Sequence, residues 1–174
     1  MTRSKSALLP IAYVVLRILI ILNWLYGAAI LGLVAFTFVN DTWFMRAIDV
    51  PAGMDAQPIM TGLRVIAILG ILTAPLNHLI LTRLLRTAET VGRGDPFVAA
   101  NAYRLNAIAW ALMALQLLSI VIGAIGKSIA SKEFPLHLDA GFSISGWLAV
   151  ILTFVLARVF AEGTLMREDL EGTI

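Results

Sequence analysis

Four apolar runs, Ile18–Val39, Val65–Leu81, Ala107–Gly126 and Phe142–Ala157, occupy most of this chain, each long enough to cross a bilayer. A helix rises ~1.5 Å per residue and the hydrocarbon core is ~30 Å thick, so about 20 apolar residues make one crossing. The chain is 60% hydrophobic and 14% charged. Soluble domains hold roughly 45–50% apolar and about 25% charged residues, so the departure is toward lipid. The absence of cysteine excludes disulfides, thiolate metal sites and cysteine nucleophiles. The formal charge of +2 does not indicate nucleic acid, because the basic residues flank the apolar runs, as they do in membrane proteins.

The expected fold is therefore an all-α integral membrane protein: four transmembrane helices in an antiparallel bundle, as one domain over 1–174. The spans are expected at about 14–39, 59–85, 103–127 and 142–162, with an amphipathic tail over 163–174. The first apolar stretch reads as a retained helix, since it continues far beyond the ~7–15 residues of a signal-peptide core. Pro75 sits in the second span and predicts a kink, with Thr73, Asn77 and His78 within a turn of it. A histidine there is expected to satisfy backbone carbonyls freed by the kink. Asp95-Pro96 predicts an N-cap and first position for the third helix. Residues 40–58 and 127–141 are expected as interfacial or β-like loops, with the Phe134/Leu136/Leu138 alternation as a short strand pairing near Asp49.

Orientation follows from counting Lys and Arg near the spans. Arg3, Lys5, Arg83, Arg86, Arg93, Arg104, Arg158 and Arg167 fall on one side; Arg46, Lys127 and Lys132 fall on the other. Eight against three places both termini and the middle loop in the cytoplasm, the arrangement that four spans require. The expected location is the bacterial inner membrane.

The polar residues carry two readings each. Arg17, Asn77, His78 and Arg158 form a candidate intramembrane polar cluster, which is either packing glue or a sensing element. Arg17 also has the length to snorkel to the headgroups. Glu162 is the acid near that boundary and should find a cation: Arg158 one turn away, or Arg104 or Arg17 from another helix. Gly27 and Gly32, with Ala28 and Ala29, permit close helix approach within the chain or between copies. The acidic end Glu168, Asp169, Glu171 is either a solvated tail or a docking surface for a basic partner. His137 and Asp139 are too few for a zinc site, and no nucleophile–base pair or carboxylate pair lies within a span, so no enzyme, metal or cofactor is expected.

Two stretches carry a resemblance. One is Gly94-Asp95-Pro96-Phe97-Val98, followed by Asn101 and Arg104-Leu105; the other is Ala157-Arg158-Val159-Phe160-Ala161-Glu162-Gly163, then Leu165 and Arg167-Glu168-Asp169-Leu170-Glu171-Gly172-Thr173-Ile174. Together they resemble a bacterial membrane family catalogued as domain of unknown function 2975, with its G-[DN]-P-F element, N-x-x-R-L run and Thr-Ile ending. Ala161 departs from the family's more usual basic residue. Members are often associated with a small helix-turn-helix transcription regulator. The resemblance thus implies a membrane regulator that controls such a partner through its cytoplasmic face, with no direct nucleic-acid contact of its own. Asp95, Pro96, Phe97, Asn101, Arg104, Glu162, Arg167, Glu168, Asp169 and Glu171 are the candidate contact residues. A small oligomeric transporter or channel subunit is the alternative.

Overall fold

The computed structural model describes residues 8–47, 56–130, 136 and 138–171. Its helices are α1 (Leu8–Val39), α2 (Asp41–Ala47), α3 (Ala56–Ile71), α4 (Thr73–Gly92), α5 (Ala99–Ile129) and α6 (Ile144–Glu171). Four segments are long and apolar enough to cross a membrane: Pro10–Val39, Ala56–Gly92, Ala99–Ile129 and Ile144–Leu170. The second is α3 and α4 together. The large apolar side chains of α1 and α6 are mostly exposed, among them Leu25, Phe38, Leu148 and Val155. In water such a surface would aggregate; in lipid it is the ordinary outer face.

Helix α1 packs on α3 and α4, α5 packs on α3 and α4, and α6 packs on α5. The first and last crossings share no extended interface. The core is accordingly small: Leu105, Ile108 and Ala157 are buried together, with Ile80, Leu112 and Phe160 against them. Ala109 and Ala111 on α5 are also buried, and their short side chains bring neighbouring helices close. Gly27 does the same between α1 and α4, where an added Cβ would stand 3.1 Å from the Ala74 Cβ. Gly32, one turn on, meets nothing within 4 Å and lies on the outer face.

The second crossing breaks at Leu72, three residues before Pro75. Proline lacks the N–H that would bond the Ile71 carbonyl, and its ring crowds that same turn. The chain tightens there, with Leu72 N–H donating to Leu69 O at 3.1 Å. Thr73 Oγ1 donates to Gly70 O at 2.6 Å, and Asn23 Nδ2 reaches across from α1 to Ala74 O at 2.9 Å. His78 does not take up the carbonyls as the sequence suggested. Its Nδ1 accepts the Trp24 indole N–H at 3.1 Å, an arrangement that its place one turn beyond the proline allows.

Two local expectations change. The 40–58 segment holds helix α2, whose Trp43 meets Phe36 edge-on with ring centroids 5.1 Å apart. Helix α5 starts at Ala99, not Pro96, with Val98 extended at its N-cap and no side-chain cap. The Asp95 carboxylate faces Arg167 instead, so it is not available to cap. The proposed strand pairing of 134–138 with Asp49 lies largely outside the described residues.

The opposite end is closed by the segment before α6. Gly141 N–H donates to Ser119 Oγ at 3.0 Å, and Leu138 packs over Gly126. A Cβ on Gly123 would stand 2.7 Å from Ala140 O and 2.8 Å from Gly141 Cα, both backbone atoms that cannot rotate away. Gly123→Ala is therefore expected to cost about 1–3 kcal/mol by overpacking. The readout is the unfolding midpoint in detergent. Gly32→Ala, with open space around it, should hold or raise that midpoint.

Candidate functional site

The end of the bundle that carries the α4–α5 turn gathers the motif residues. Helix α4 stops in a Schellman cap: Gly94 N–H donates to Val91 O at 3.0 Å and Asp95 N–H to Thr90 O at 3.1 Å. Gly94 adopts φ of +90°, which a residue with a Cβ resists. The cap turns the chain so that 95–98 run back over the end of α4.

Asn101 sits under that turn with no exposed surface. Its Nδ2 donates to Pro96 O at 2.8 Å and lies 2.7 Å from Thr90 Oγ1. Its Oδ1 accepts from Arg104 Nη1 at 2.7 Å, and the same Arg104 nitrogen reaches Arg86 O at 3.2 Å. One amide thereby ties the end of α4, the turn and the start of α5. Burying an amide is tolerable only when its donors and acceptors are met, and here they are.

The second motif arrives on α6. Arg167 Nη1 lies 3.1 Å from Asp95 Oδ1, linking residues 72 apart in sequence. Phe97 packs on Phe160 with ring centroids 5.3 Å apart. Gly163 makes room for Phe97: an added Cβ would come within 2.7 Å of the ring. The two stretches quoted from the sequence thus form one site, the signal for which was their shared motif character and not any local periodicity. Thr90 is the member that sequence reasoning missed, and Gly163 entered only as a motif letter with no role attached. Neither residue type announces a partner.

Arg158 Nε donates to Glu162 Oε1 at 2.8 Å on the exposed face of α6. Arg104, committed to Asn101, does not reach Glu162. Glu168 and Asp169 are exposed beyond it, and the Glu171 side chain lies outside the described residues. Arg17, Asn77, His78 and Arg158 are not joined to one another by any hydrogen bond or ion pair. Arg17 is exposed, Asn77 is half-buried, His78 pairs with Trp24 and Arg158 with Glu162. Near the opposite end, Arg64 donates to Thr37 O at 2.5 Å and stacks over the Phe38 ring at 4.5 Å, covering the last turn of α1. Among the described residues, no group of three or more His, Asp or Glu side chains is placed to hold a metal ion. Among the described residues, the buried polar side chains are Thr37 on α1, Asn101 on α5 and Thr164 on α6.

Four apolar crossings around a small core, tied at one end by Asn101 and the Asp95–Arg167 and Phe97–Gly163 contacts, define a multi-pass helical membrane protein. The chain belongs to the family described as Protein of unknown function (DUF2975), whose model matches residues 46–174. No curated protein and no solved structure matches it.

Proposed function

We propose that this protein is a regulatory or sensory subunit of the bacterial inner membrane. Both termini lie in the cytoplasm, and the tied turn end holds a small helix-turn-helix DNA-binding protein. The observation that carries this reading is the meeting of the two motif stretches at one end, through Asp95–Arg167 and Phe97–Gly163. The contacts there are of the kind that shape a surface, and the proposed role requires no turnover. Arg17 and Arg93, with the starts of α1 and α5, belong to that same end, in keeping with the excess of basic residues near it. Beyond the Arg167 pair, α6 presents Glu168 and Asp169 beside exposed Met166 and Leu170. A mixed acidic and apolar helix face complements the basic face that a DNA-binding protein turns toward phosphate, so the partner would hold either the membrane or its operator.

The test is affinity purification of the intact chain, gently extracted after expression from its own chromosomal locus, with the eluate searched for a small helix-turn-helix DNA-binding protein. The expected result is co-elution of the two, lost in the Glu168→Lys/Asp169→Lys variant and kept in Arg17→Gln. Elution of the membrane protein alone, or tags at its two ends reporting from the outer face, would overturn the reading.

A further inference from the structure

A groove of about 500 Å³ runs between α5 and α6, and the residues that line it all come from those two helices. Its floor is made of small residues, Ala102, Ala157 and Ala161, and its inner end is closed by Phe154, which meets Trp110 edge-on at 5.6 Å. From Phe154 to Glu168 it extends roughly 21 Å at ~1.5 Å per residue, from the depth of the hydrocarbon to the water. Arg158, Tyr103 and Asn106 stand on its walls near the boundary between the two.

We propose that this groove seats one glycerophospholipid, with an acyl chain along Ala157 toward Phe154 and the phosphate on Arg158. Three observations carry the assignment. Arg158 uses its Nε for Glu162 and keeps both terminal nitrogens of the guanidinium for a second acceptor, in the fork geometry that a phosphate diester fits. Tyr103 and Asn106 are exposed and hydrogen-bond no other described residue, which leaves a hydroxyl and an amide beside that fork. Because α5 is, among the described residues, the one helix with which α6 shares an extended interface, the groove opens sideways into the bilayer, where a lipid can enter without leaving its leaflet. A soluble phosphate would meet the same arginine but leave the alanine floor empty. The lipid explains both halves. The assignment does not depend on which compartment the turn end faces or on any protein partner.

The experiment is native mass spectrometry of the full chain in mild detergent, titrated with phosphatidylglycerol. One lipid should stay bound per chain. Arg158→Gln, a change to a side chain that is 77% exposed and therefore safe for folding, should weaken retention by about tenfold or more. Ala161→Trp, which fills the floor, should abolish it in a chain whose helix content is unchanged by circular dichroism. Arg17→Gln, an exposed arginine of α1 outside the groove, should leave retention as it was. Undiminished binding in Arg158→Gln, or an equal loss in Arg17→Gln, would overturn the proposal. Release of the lipid by glycerol 3-phosphate would also overturn it, because the anion alone would then be recognised. So would a lipid-free dimer that Ala161→Trp dissociates, since the occupant would then be a second copy.

Discussion

Asn101→Leu is expected to lower the stability of the folded chain by about 2–4 kcal/mol, the cost of leaving buried hydrogen-bonding groups without partners. The isosteric side chain fills the space but withdraws the amide from Pro96 O, Thr90 Oγ1 and Arg104 Nη1. Arg104 keeps the Arg86 carbonyl, so the loss stops short of a fully stranded buried charge. Asn101→Asp should fall between the two. It retains the acceptor for Arg104 and gives up the donor to Pro96 O. Unfolding by added denaturing detergent, followed by circular dichroism, reads the difference directly. A midpoint for Asn101→Leu equal to that of the parent would show that the amide does not hold the turn.

Gly163→Leu is the second large effect, about 2–3 kcal/mol at the upper end of overpacking costs. The new side chain takes the place of the Phe97 ring and drives it off Phe160. That separates the turn from α6, and the Asp95–Arg167 pair should open with it. Since the chain contains no cysteine, a pair introduced at 95 and 167 reports the separation without background. Efficient cross-linking in the parent and its loss in Gly163→Leu is the expected pattern. Adding Phe97→Ala to Gly163→Leu should restore part of the stability, because the clash and its partner go together. Arg167→Ala alone should cost under about 1 kcal/mol, as exposed pairs do. If Arg167→Ala destabilised more than Gly163→Leu, charge and not packing would be holding this end.

The crossings were legible in the sequence because lipid imposes a simple rule on any span: a run of apolar residues of the right length, whatever its neighbours. The kink was legible for the same reason, since Pro75 lacks its N–H in every context. What sequence could not supply were the pairings. Asp95-Pro96 has every local mark of a helix start. Yet Asp95 meets Arg167, and Val98 precedes the first turn of α5 instead. Arg158, Glu162 and Arg104 offered several matches by charge alone; Asn101, a neutral residue, decided the outcome by claiming Arg104. The four polar residues grouped by depth, Arg17, Asn77, His78 and Arg158, are spread over α1, α4 and α6 without a common bond. Depth in the bilayer is a one-dimensional coordinate, and it says nothing of direction around the bundle. Gly163 was quoted as part of a motif but its purpose was invisible, because the residue it accommodates is Phe97, more than sixty positions earlier.

The serial packing of the crossings, each against the one made before it and none closing a ring, has a consequence for biogenesis. A helix released from the translocon finds its docking face already in place, so assembly can keep pace with the ribosome and wait for nothing downstream. Helix α6 comes last, and among the described residues its one extended helix interface is with α5. The contacts of α6 with Phe97 and Asp95 can therefore close only once α6 has been made, and a chain interrupted before it would present that end unfinished.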